Sequence, residues 1–104
     1  MLARQGDVII FTDEIPDEAQ SIERDGQGRI ILAYGEVTGH AHAILDRETE
    51  LFSVAEQADR WLRVQGTGAL LRHDEHDAIA LPPGDYRVRL QREYRPDAII
   101  RVAD

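Results

Sequence analysis

Four histidines occur in the chain, and they stand in two tight groups, His40-Ala41-His42 and His73-Asp74-Glu75-His76. Imidazole changes charge near neutral pH and is a common ligand of divalent metals. On a strand, residues i and i+2 share a face, so His40 and His42 project together with Ile44, while Ala41, Ala43 and Leu45 take the other face. Gly39 ahead of them permits a bend or a close approach. His73 and His76 follow the apolar run Ala69-Leu70-Leu71 and precede Asp77. This reads as a strand end entering a turn, where side chains at i and i+3 can converge. Asp74 and Glu75 between them can orient an imidazole from behind.

If the strands bearing the two groups are neighbours, His40, His42, His73 and His76 can surround one divalent ion. Three histidines with a carboxylate, Glu75 or Glu48, serve as well. Zinc accepts such a set, and iron(II) is the other leading candidate; nickel and manganese also take these ligands. Because the ligands bind unprotonated, binding weakens as pH falls below about 6.5. A catalytic ion would act as a Lewis acid or activate water, with Glu75 or Glu48 as proton acceptor. Four protein ligands on zinc would instead mark a structural site. Without metal, the cluster could still do acid–base work, but no serine or cysteine stands in a nucleophile motif. The competing reading is a non-enzymatic protein-interaction module. Its strand edges or arginine-bearing face would meet a protein partner, and the histidines would be structural or surface residues.

The elements that must position these residues have a period of two. Strands are expected over Asp7–Thr12, Ser21–Arg24, Arg29–Tyr34, Glu36–Leu45 (interrupted at Gly39), Leu51–Val54, Arg60–Gln65, Ala69–Arg72, Ala78–Leu81, Tyr86–Tyr94 and Ala98–Val102. Asp25-Gly26-Gln27-Gly28 and Gly66-Thr67-Gly68 are hairpin signals, and Pro82-Pro83-Gly84-Asp85 is a firm turn. Gly66-Thr67-Gly68 lacks the lysine and following helix of a phosphate loop. Ala55–Asp59 is one helical turn or a loop. Along Tyr86–Tyr94, Tyr86, Val88 and Leu90 fall on one face and Arg87, Arg89 and Gln91 on the other. Trp61 and Tyr94 read as packing residues rather than pocket walls. The expected fold is a single all-β domain over residues 1–104: a small barrel or two-sheet sandwich of short antiparallel strands.

Twenty acidic residues oppose twelve arginines in 104 residues, with no lysine and a net charge of −8. Such a field repels polyanions, so nucleic acid is not the expected partner even though Arg87, Arg89, Arg92 and Arg95 gather late in the chain. Those arginines are expected to pair with the excess acids on a solvated face. The expected partner is a small molecule or a protein. Cysteine is absent, which excludes disulfides and thiolate metal sites. No signal-peptide h-region and no run of about 18 apolar residues is present, so a soluble cytoplasmic protein, off the membrane, is expected.

Two resemblances follow from these residues. Gly35, His40, His42 and Glu48 are similar in order to the first motif of the cupins, and Pro82-Pro83-Gly84 to the start of the second, with Arg87 where the second motif has histidine. That likeness implies a kindred architecture. The stretch from Leu32 to His42, with Gly-Glu-Val-Thr-Gly-His, and the stretch Leu81–Val88 with the later Gln91-Arg92-Glu93-Tyr94, resemble a group of small uncharacterised bacterial and phage proteins. That resemblance spans Gly28 to Tyr94 and implies relatives without an activity.

Overall fold

A computed structural model of the protein describes residues 2–35 and 40–91. Ten strands occur there and no helix: β1 (Leu2–Gln5), β2 (Val8–Thr12), β3 (Gln20–Ile22), β4 (Ile30–Tyr34), β5 (Ala41–Ile44), β6 (Thr49–Ser53), β7 (Arg60–Val64), β8 (Ala69–Arg72), β9 (Ile79–Leu81) and β10 (Gly84–Leu90). They form a six-stranded sheet in the order β1-β2-β10-β7-β6-β3 and a four-stranded sheet in the order β4-β5-β8-β9, with every pairing antiparallel. The fold is therefore an all-β two-sheet sandwich. The expected Ala98–Val102 strand, Tyr94, Arg92 and Arg95 lie outside the described residues, as does the segment 36–39.

The core is the set of inward residues that the two-residue period marks. Val8 and Ile10 of β2, Leu62 and Val64 of β7, and Tyr86 and Val88 of β10 face Leu32, Ile44, Leu71 and Leu81 of the smaller sheet. Each fully buried Leu, Ile or Val contributes about 1.5–3 kcal/mol. Leu2–Gln5 is not among the expected strands, because its four residues carry no alternation of their own. It forms an outer edge, with Leu2 exposed and Gln5 buried.

Neither expected glycine hairpin is one. The chain passes from β3 in the larger sheet to β4 in the smaller through Asp25–Gly28, and from β7 to β8 through Gly66–Gly68. The Asp25 turn is locally hairpin-like, with Asp25 N–H donating to Arg29 O at 2.9 Å. Arg24 then carries the preceding strand away. Its guanidinium donates to the carbonyls of Asp46 (2.6 Å) and Thr49 (2.8 Å), tying it to the β5–β6 turn. Gly68 has φ +112°, and a Cβ there would meet Leu81 O at 2.8 Å. The glycine is thus required where the chain crosses close to β9. Ala55–Asp59 contains turns and no helix.

Two further polar features belong to the framework. The β4–β5 register slips between Ile31 and Ala33, and Arg60 of β7 reaches across to donate to the carbonyls of Ile31 and Leu32 at this bulge. On the outer face of the larger sheet, each arginine of the strand stripe is engaged. Arg87 bonds Asp59 at 2.7 Å and lies 5.0 Å above the buried Trp61 ring. Arg89 bonds Asp59 at 2.9 Å over Phe11, and Arg63 pairs with Asp85 at 3.1 Å over Phe52. These cations are committed to acids and aromatic faces.

Candidate functional site: the histidine cluster

The β5–β8 pairing joins the two histidine groups. Ala43 lies opposite Arg72 and Ile44 opposite Leu71, so one step further along the ladder stand His42 and His73, and beyond them His40 and Glu75. The β8–β9 loop returns His76 toward the same place. Ring centroids of His42 and His73 are 4.2 Å apart, His73 and His76 4.8 Å, His42 and His76 5.8 Å, and His40 and His73 5.9 Å. All four imidazoles thus form one cluster at one end of the smaller sheet.

Strand alternation puts His42 on the same side as Ile44, and it is only 5% exposed. Its Nδ1 lies 2.9 Å from Oε1 of Gln5, also buried. The amide of Gln5 can point only one way. Its Nε2 donates to the carbonyls of Leu71 (3.1 Å) and Asp77 (2.9 Å), so its oxygen must accept from His42. His42 therefore carries its proton on Nδ1 and keeps a bare lone pair on Nε2. Burial first, then repulsion from His73 and His76, lowers its pKa to about 4, against a small opposing pull from Asp7. At neutral pH this ring is an uncharged ligand or base.

His73 has the opposite tautomer. Its Nδ1 accepts the Glu75 N–H at 3.0 Å, so the proton of the neutral ring sits on Nε2, which is buried with no hydrogen-bond partner. A donor left so costs about 1–3 kcal/mol. His40 is partly exposed and has carboxylates at both nitrogens, Glu75 at 3.2 Å from Nδ1 and Asp74 at 3.4 Å from Nε2. Glu48 is not at the cluster. It follows the far end of β5, and its carboxylate lies against Gly66 between β7 and β8.

The turn Gln5-Gly6-Asp7 between β1 and β2 closes the cluster from the other sheet, and no local pattern in the sequence connects it with the histidines. Gly6 has φ +58°, and a Cβ there would meet His76 Nε2 at 3.0 Å and the Cε1–Nε2 edge of His42 at 3.2–3.5 Å. Edges of two imidazoles, each with its Nε2, thus lie close to one point beside Gly6. Gly6→Ala is expected to cost about 1–2 kcal/mol from the left-handed backbone and the crowding together. Urea unfolding measures it, and His42 and His76 side-chain resonances should shift most.

The rings nonetheless stack, His42 on His73 at 28° and His42 on His76 at 22° between planes. Lone pairs lie in the ring plane, so among the described residues no group of three or more is arranged to hold a metal ion as it stands. Convergence on an ion requires ring rotation, and for His73 release of the Glu75 N–H. The residue types fit an ion; the ring orientations in this structure do not yet converge on one.

Arg87, at the place of the second cupin histidine, belongs to the outer face of the larger sheet and takes no part in the cluster. No helix among the described residues is long and apolar enough to cross a membrane. No curated protein and no solved structure matches the chain. A family model described as a domain of unknown function matches residues 4–91, a span that holds Gln5, all four histidines and β2 through β10. The chain belongs to that family, DUF8820.

Proposed function

We propose that the cluster binds one divalent transition-metal ion, with His42 and His76 as the core ligands and His73 and His40 completing the set. One observation carries this reading: buried Gln5 fixes His42 with its Nε2 bare, and that nitrogen and His76 Nε2 both lie within about 3.5 Å of one point beside Gly6, so that ring rotation can bring them onto one ion. A histidine whose second nitrogen donates to a buried, oriented acceptor is the arrangement that holds metal-ligating rings in place. The orphaned Nε2 of His73 gives the cluster a further reason to rearrange around a ligand. A bound ion would supply Lewis acidity at the exposed rim, where Glu75, beside His40, is the proton acceptor. Zinc and iron(II) are the first ions to test.

Protein purified without a histidine tag, reconstituted with zinc or iron(II) and desalted, is expected to retain about one equivalent of metal by elemental analysis, and the His42→Ala/His76→Ala variant under about a tenth. Retention under a tenth in the wild type, or full retention in the variant, sinks the assignment. A second reading, a protein-interaction module, draws support from Tyr34, 71% exposed on β4 at the edge of the smaller sheet. Under that reading, the wild type retains no metal and Tyr34→Ser abolishes a partner contact.

A further inference from the structure

A second feature lies on the outer face of the smaller sheet. A cavity of about 170 Å³ opens there, over the outward residues of β5, Ala41, Ala43 and Leu45. Arg72 of β8, directly opposite Ala43 in the ladder, stands beside this floor, and Arg29 also lines it. His73 and Asp74 form the wall toward the histidine cluster.

Three observations single it out. First, Arg72 makes no ion pair or hydrogen bond among the described residues, whereas the stripe arginines of the other sheet are all engaged. In a chain of net charge −8, Arg72 is thus an exposed cation that Asp74, on the same cavity's wall, does not pair with. Arg29 adds to the field: Asp25 engages its Nε at 2.8 Å, and its terminal nitrogens make no bond among the described residues. Second, the floor is apolar and small. Two alanines at alternate positions leave the room, and Leu45, 53% exposed, extends the apolar surface. Third, the volume is that of about five or six water molecules, which suits a ligand of a few heavy atoms.

We infer that this cavity binds a short-chain aliphatic carboxylate, its anionic end on the Arg72 guanidinium and its hydrocarbon on Ala41, Ala43 and Leu45. Planar guanidinium and planar carboxylate match in a bidentate pair. The apolar floor favours such a ligand over inorganic phosphate, which has no hydrocarbon to bury. The Asp74 carboxylate at one wall and the acidic surroundings disfavour a second negative charge. Binding here does not depend on a metal ion. The shared residue His73 places the ligand beside the cluster, so the same cavity is the natural entry for a substrate if the cluster is catalytic.

The test is a titration of the full chain in EDTA with sodium butyrate at constant ionic strength, followed by amide and arginine Nε–H resonances. Saturable shifts at Ala41, Ala43 and Arg72 are expected, with a Kd of about 1–10 mM. Acetate should bind several-fold more weakly for want of hydrocarbon, and phosphate more weakly still. Arg72→Gln should raise the butyrate Kd about tenfold or more, with Arg72→Lys between the two. Ala43→Leu should abolish binding while leaving Arg72 in place. Shifts that do not saturate by 50 mM, a wild-type Kd in Arg72→Gln, or phosphate binding more tightly than butyrate each overturn the proposal. Because EDTA is present throughout, failure here leaves the metal reading untouched, and failure of metal retention leaves this titration unchanged.

Discussion

Gln5→Ala is expected to destabilise the protein by about 3 kcal/mol and to lower its melting temperature by about 12–20 °C. The side chain is 2% exposed and makes three hydrogen bonds, one to a histidine and two to backbone carbonyls. Truncation leaves His42 Nδ1–H, Leu71 O and Asp77 O without their partner. An unsatisfied buried group costs about 1–3 kcal/mol, and water can reach the part-buried Asp77 carbonyl, so the sum stays below the maximum. The bonds also link three elements. Gln5 belongs to the edge of the larger sheet, Leu71 to the smaller sheet and Asp77 to the loop that carries His73 and His76, so the variant should loosen the cluster as a whole. Gln5→Glu separates the two roles: it keeps an acceptor for His42 Nδ1 but loses both donors to the carbonyls. Nitrogen-detected NMR should find His42 protonated on Nδ1 in the wild type and mixed between nitrogens in Gln5→Ala. Metal retention should weaken about 10- to 100-fold, as for other residues that orient a ligating histidine. A stability loss under about 1 kcal/mol, smaller than one typical buried hydrogen bond, would remove Gln5 from this role.

How far the sequence led to this site can be traced residue by residue. The strand period put Tyr86 and Val88 inside with Arg87 and Arg89 outside, and the all-β sandwich followed from many such short runs. The same period placed His40 and His42 on one side of their strand. The meeting of the two histidine groups was conditional on β5 and β8 being neighbours, and pairing partners are not written in local pattern. The turns show why. Asp25–Gly28 makes the local bonds of a hairpin, yet Arg24 reaches over twenty residues along the chain to the β5–β6 turn, and that long-range tie sends the strands to different sheets. Glu48 was a candidate by sequence proximity to His42, but a strand extends about 3.3 Å per residue, so six residues and a turn carry it to the far end of the sheet. Gln5 was invisible for the converse reason. A polar residue near an N-terminus reads as exposed, and only the packing of β1 against the histidine loop buries it.

The pH dependence of stability should carry the mark of His42. Its pKa in the folded protein is about 4, against 6.5 for an ordinary histidine, chiefly because the ring is buried and then because His73 and His76 repel a charge there. Protonation therefore favours the unfolded chain, which binds the proton from pH 6.5 downward while the folded protein resists until about pH 4. The stabilisation is fully present above pH 6.5 and is lost progressively between pH 6.5 and 4. Between pH 7 and 4.5 the loss amounts to roughly 2 kcal/mol. Carboxylates act in a lower window. Asp25, held down first by the Arg29 backbone N–H, and Asp59, where burial pushes upward but the bonds from Arg89 and Arg87 prevail, both have lowered pKa values. Their contributions are present above the ordinary value of 3.8 and are lost below it, so a measurement at pH 4.5 leaves them largely intact. Urea unfolding in EDTA at pH 7 and 4.5 isolates the histidine when His42→Gln is measured beside the wild type. The variant starts less stable, but its decline over this interval should be smaller by roughly 2 kcal/mol. Equal declines in the two proteins would show that His42 takes up its proton in the folded state at an ordinary pH. The bare Nε2 lone pair on which the metal reading depends would then not persist much below neutrality.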